Sequence, residues 1–98
     1  MFTWTEDKNK LNMENHGFFF SEILDVFNDP HLIEFYDDSH STMEEERYIC
    51  LGHWQDFIIL SVVFTEKGGD THIITARKAT PKERKIYEEN YRKETSRN

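Results

Sequence analysis

Apolar residues recur along this chain at three different spacings, and each spacing predicts a different kind of element. Phe2 and Trp4 alternate with threonine as a short extended start. Thr5 can then cap a helix whose first turn carries Glu6 and Asp7, favoured at the positive end of the backbone dipole. Gly17 can close that helix as a left-handed residue, so the reading is a helix over 6–16. Ser21 offers a second cap. Ile23, Leu24 and Phe27 follow at steps of three and four, and Asn28, Asp29 and Pro30 supply a stop, which predicts a second helix with one apolar face.

From His31 onward the spacing changes to that of strands. Residues 31–36 read as a first strand, and 37–46, polar apart from Met43, as an exposed loop. Residues 48–54 and 57–66 read as two more strands, the latter apolar on both faces as a central strand should be. Lys67, Gly68, Gly69 and Asp70 mark a hairpin whose return strand is 71–78. Thr80 and Glu83 have capping-box spacing with Pro81 at the first helical position, which predicts a terminal helix over about 81–95.

The register of that hairpin decides which cation faces which way. A two-residue loop pairs Lys67 with Asp70, Val63 with Ile74 and Leu60 with Arg77, placing Arg77 on the face of Leu60, Val62 and Phe64. A one-residue bulge at the turn would put Lys78 there instead and move Arg77 to the face of Ser61 and Thr65. Both arrangements fit the sequence. The element order predicts an α+β domain spanning 1–98, with two N-terminal helices, an antiparallel meander sheet and a C-terminal helix. The helices are expected on one sheet face. The candidate concave site is then the other face, or the groove between the sheet end and the last helix.

Composition narrows the chemistry. A chain of 98 residues buries about two-thirds of its unfolded surface on folding, enough for one core. Its single cysteine, Cys50, rules out an internal disulfide and a Cys-based zinc site, and sits in an apolar strand where a thiol is a small hydrophobe rather than a nucleophile. The longest apolar run, 57–64, is too short to span a bilayer, and Met1–Lys10 lacks the pattern of a signal peptide; a soluble, cytoplasmic protein is expected, with no membrane association. Formal charge is −7, but residues 1–56 carry 13 acids against three bases, and residues 57–98 six acids against nine. The bases therefore cluster late in an acidic protein, and a local basic cleft is compatible with that balance.

The five histidines show no metal-binding spacing, and no phosphate loop or nucleophile elbow occurs, so neither a metal nor a cofactor is expected. Polar groups stand where strands begin and end: His40, Glu46, Arg47, Lys67, Arg77 and Lys78. Such a set suits cleavage of RNA, whose 2′-hydroxyl is an internal nucleophile, so that the protein need only move protons and stabilise charge on the phosphate. His40 would be general acid or base, Glu46 would share the proton work, and Arg77 would engage the phosphate with Arg47, Lys67 and Lys78 in support. Each residue also has a plainer reading: His40 as a loop histidine, Glu46 and Arg47 as a surface pair, Lys67 as a solubilising turn residue, and Arg77 as the partner of an acid on the last helix.

A longer pattern carries a resemblance. Phe2, Trp4 and Lys8, then Asn12, Asn15, His16 and Gly17, Phe20 to Glu22, Phe27, Asp29 and Pro30 form its first half. His40, Glu46 to Tyr48, Gly52, Thr65 to Lys67, the run Ile73 to Thr80, and Glu83, Arg84 and Tyr87 complete it. Together they resemble the BrnT toxin family over roughly residues 2–91, the run Ile73 to Thr80 being the specific part. The sequence departs from the family pattern at Thr5 and Glu6, and at Lys67 and His72, where arginine is common. The resemblance implies a RelE-like α+β fold and a metal-independent ribonuclease toxin of a type II toxin–antitoxin system. It also implies neutralisation by a BrnA-like ribbon-helix-helix antitoxin, through which alone operator DNA is contacted. The alternative is a family member that has lost the nuclease and acts as a binding partner of the antitoxin; direct DNA binding by this chain is disfavoured, for no recognition helix or basic arm is visible.

Overall fold

The computed structural model describes residues 1–96. Five strands form one sheet in the order β1 (Phe2–Thr3), β5 (Asp70–Lys78), β4 (Ile59–Lys67), β3 (Arg47–His53), β2 (Ile33–Tyr36). Strands β2 to β5 are the expected antiparallel meander; β1 adds a parallel edge strand, with Phe2 opposite Thr71 and Thr3 opposite His72. Helix α1 (Glu6–His16) starts where Thr5 Oγ1 accepts the Lys8 N–H and ends at Gly17, φ +82°. Helix α2 (Pro81–Thr95) opens with the Thr80–Glu83 capping box.

The second of the two expected N-terminal helices is a pair of 3₁₀ segments, Phe20–Glu22 and Leu24–Asn28. The reason lies in the spacing of the residues that end up buried, Phe20, Ile23 and Val26. They are three apart, which matches a winding of three residues per turn, whereas an α-helix would rotate one of them away. Of the three residues on which the helical reading rested, Ile23 is in the core, while Leu24 and Phe27 pack only at its rim.

Nor do the helices share one face. The 3₁₀ segments cover the sheet face of Cys50, Leu60, Val62, Phe64, Ile73 and Ala76, and α1 flanks it beside β5. Helix α2 covers part of the opposite face through Tyr87, which packs with Leu51, Ile59, Ile33 and Ile49. Gly52 permits the close approach on the first face: a Cβ there would lie 2.7 Å from side-chain carbons of Val26 and Leu32. Helix α1 attaches by hydrogen bonds more than by apolar burial, since its buried residues are Asn9 and Asn12. The Asn12 amide donates to the Phe18 and Ala76 carbonyls and accepts the Ala76 N–H, completing the β5 edge that β1 is too short to reach.

The open question of register is answered inside β5. The Gly68-Gly69 turn, both residues at positive φ, pairs Lys67 with Asp70 as expected. Pairing then slips between Phe64, opposite Ile73, and Val63, opposite Thr75, so that Ile74 is the extra residue of a bulge. Arg77 is thereby opposite Ser61, and Lys78 opposite Leu60.

Candidate functional site

The face that α2 covers at one end is open toward the β4–β5 hairpin, and alternation along the strands gathers polar residues there. Arg47 lies opposite Thr65, and Thr65 opposite His72, so three strands contribute one row on one face. Lys67 is the next residue of β4 on that face. Glu45 joins the two cations: its carboxylate accepts from Arg47 Nε at 2.8 Å and lies 3.5 Å from Lys67 Nζ. The Arg47 hydrogen bond, reinforced by both positive charges, outweighs burial and holds the Glu45 carboxyl below its ordinary range. Two cations thus share one anion, with the Arg47 side chain 32% and that of Lys67 55% exposed.

His72 closes the row. Its Nδ1 is 2.9 Å from the Thr3 hydroxyl. Burial lowers its pKa below the usual imidazole value, Lys67 lowers it further, and Glu45 opposes both.

His40 stands at the other flank of Arg47. The loop there is a built turn: Asp37 N–H donates to the Arg47 carbonyl at 2.8 Å, and Ser41 bridges to the Arg47 backbone through its hydroxyl. His40 Nδ1 lies 3.0 Å from the carboxylate of Asp37, and Ser39 donates to that carboxylate as well. The imidazole is 67% exposed, the carboxylate 5%. Because a carboxylate can only accept, Nδ1 carries the hydrogen, and the neutral ring presents the lone pair of Nε2.

Glu46 lines a small cavity with Glu45, Thr65 and Lys67, and the remaining expected site residues engage other partners. The Glu46 carboxylate accepts from the Tyr48 hydroxyl at 3.1 Å, on the side of the sheet where Tyr48 stacks on Phe64. Arg77 makes a two-pronged contact with Glu83, at 2.7 and 3.1 Å, and also donates to the Lys78 carbonyl. Burial of Glu83 would raise its pKa, but Arg77 and Thr80 together hold it below normal. Arg77 is two rungs from the Arg47 row, which is about 13 Å along the strands and about 10 Å across them. Lys78 is exposed, in register with Leu60 of the opposite face. One phosphate can therefore meet Arg47 and Lys67 together, but not Arg77 as well. Cys50 is fully buried, and burial, with Glu34 adding to it, pushes its thiol up to about 12.

A groove of about 800 Å³ is at the α2 end of this face, between α2 and the β3–β4 turn. Its walls include Phe57, Tyr91, Arg84 and Arg92, and none of the six residues singled out from the sequence. At its base Asp29 accepts the Tyr87 hydroxyl at 2.6 Å and the backbone N–H groups of His31 and His53, while His31 pairs with Glu94 at 2.5 Å.

Residues 4–83 match the family model described as the ribonuclease toxin, BrnT, of type II toxin–antitoxin systems. The chain belongs to the BrnT family. A crystal structure of the Brucella abortus ribonuclease toxin BrnT shares its fold, with a TM-score of 0.64 over 82% of this chain and 97% of that one at 24% identity. No protein in the curated set matches. Among the described residues, no helix is long and apolar enough to cross a membrane, and no three His, Cys, Asp or Glu side chains group as metal ligands.

Within this BrnT chain, sequence reasoning missed Glu45, Asp37 and Thr3. Glu45 was hidden in a run of three glutamates, only one of which can face Arg47. Asp37 could have been found, since an acid three residues before a histidine in a turn is well placed to hold its ring. The Thr65–His72 pairing followed from the hairpin register, yet its alignment with Arg47 needed the β3–β4 pairing too.

Proposed function

We propose that this BrnT family member is an RNA-cleaving toxin whose phosphate site is the Arg47–Lys67 end of the open sheet face. The observation that carries this is the convergence of two partly exposed cations on one carboxylate, at the strand end whose Arg47 backbone is hydrogen-bonded to the turn that seats His40 on a buried carboxylate. Arg47 and Lys67 hold the scissile phosphate and stabilise its developing charge, displacing Glu45 as they do so. His40 moves a proton, and no metal is required because the RNA supplies its own nucleophile. Arg77, on the same face, steadies the strand farther along, whereas Lys78 points to the other face and takes no part. The meander backed by α1 supports a RelE-like reading of the fold. The toxin works in the cytoplasm and is neutralised by a BrnA-like ribbon-helix-helix antitoxin, which provides any contact with operator DNA.

The test is digestion of total RNA and of its 2′-deoxy counterpart by the purified chain in the presence of chelator. Cleavage of RNA alone is expected; intact RNA overturns the assignment. A second reading has its own support, for Glu45 already occupies both cations and the net charge is −7. On that reading the chain only binds the antitoxin, and its expression alone in cells leaves growth and mRNA unaffected.

A further inference from the structure

We infer that His72 is a proton-transfer residue of the same site, taking the proton from the attacking 2′-hydroxyl. This rests on the ribonuclease reading above and adds a residue that the motif-based assignment omits. The register puts His72 in the Arg47–Thr65 row, on the flank of Arg47 away from the His40 turn. A phosphate on Arg47 therefore has an imidazole-bearing segment to either side, the arrangement that an in-line displacement needs for one group to accept a proton and another to deliver one.

Local contacts fit His72 to the accepting role. Thr3, on β1, is in register with it, and the Thr3 hydroxyl can take the Nδ1 hydrogen, which leaves the Nε2 lone pair to act as base. The charged groups facing the ring are Lys67 from β4 and Glu45 from the loop before β3; Lys67 and burial favour the neutral ring, and Glu45 opposes them. Met1 and Asp70, at the same end of the sheet, are paired with each other at 3.3 Å. In the step itself the 2′-oxygen bonds to phosphorus as its proton passes to His72 Nε2. The bond from phosphorus to the 5′-oxygen breaks, and that oxygen leaves with the Nε2 proton of His40, which enters the step as the imidazolium held by Asp37 and leaves it as the neutral ring. The products are a 2′,3′-cyclic phosphate and a 5′-hydroxyl end.

The experiment measures kcat/KM against pH on a mixed-sequence oligoribonucleotide for the full chain and for His72→Gln, His72→Ala and Thr3→Val, with thermal melting as a control for folding. The wild type is expected to lose activity on the acid side with an apparent pKa below about 6.5. His72→Gln is expected to lose about 10²-fold or more together with that acid limb. Added imidazole is expected to restore His72→Ala, and Thr3→Val to shift the limb without abolishing cleavage. An unchanged acid limb in a folded His72→Gln protein overturns the inference while leaving the ribonuclease intact. RNA left whole by the wild type overturns the ribonuclease reading, and this one with it. Should both His72 variants fail to fold, the wild-type ring decides: titration of 3′-cytidine monophosphate followed by NMR must raise the His72 pKa, and an unmoved pKa refutes the role.

Discussion

The two ends of one sheet face carry similar residue types and differ in how their charges are satisfied. At the α2 end, Asp29 accepts three hydrogen bonds, Tyr87 is buried against Leu51 and Ile59, and His31 is tied to Glu94. Through Tyr87 and Glu94, α2 is thereby tied to strands β3 and β4 and to the 29–31 segment before β2, so this end is a joint. At the hairpin end Arg47 and Lys67 share a single carboxylate, remain partly exposed and are bordered by His40 and His72. Saturated polar groups hold a fold, whereas under-satisfied exposed cations are available to a ligand. The larger groove lies at the α2 end, and a smaller one of about 240 Å³ lies beside Glu45, Thr65 and Lys67.

Substitutions at the two ends should therefore separate stability from activity. Tyr87→Ala, which empties the joint, is expected to cost about 3–5 kcal/mol in urea denaturation and to leave cleavage per folded molecule unchanged. Arg47→Ala should do the reverse: kcat/KM falls by about 10²–10³-fold, the scale of losing one charge-stabilising donor, while the exposed pair with Glu45 costs under about 1 kcal/mol of stability. Equal damage to both properties by either variant would dissolve the distinction.

Acidity offers a third contrast. Burial would raise the Asp29 pKa, but the His53 N–H, the Tyr87 hydroxyl and the His31 N–H outweigh it and bring the net value below that of an ordinary carboxyl. A group with a lowered folded-state pKa stabilises above its unfolded value, near about 4, and that contribution is lost as pH falls through the lower, folded one. Wild-type stability should therefore drop below about pH 4, and Asp29→Asn should show a shallower acid slope, Glu83 and Glu45 accounting for what remains. The smallest effect is expected at Lys67. Lys67→Ala should weaken RNA binding several-fold and flatten the salt dependence by roughly one phosphate contact, with no change in base preference.

Much of this architecture was legible in the residues. The capped ends of α1 and α2 and the tight Gly68-Gly69 turn were read from local chemistry, because each is decided by a few adjacent side chains. Where tertiary contacts decided, reading failed. The step of three between Phe20, Ile23 and Val26 was overlooked in favour of a helical spacing, and the inward turn of Asn9 and Asn12 depends on unpaired backbone groups of Phe18, Phe20 and Ala76 that only the fold brings near. The cations told a similar story. Their identities were visible, but one extra residue at Ile74 decides that Arg77 shares a face with Arg47, and the capping-box Glu83 then claims it.

The central claim is one of location, and backbone amide shifts report location directly. An oligoribonucleotide made uncleavable by 2′-deoxy substitution would be titrated into the ¹⁵N-labelled chain. Shifts centred on Arg47, Thr65, Lys67 and His72, with Tyr91, Phe57 and Arg92 still, are the predicted result. Shifts confined to the α2 groove, with the Arg47 row unmoved, would contradict it.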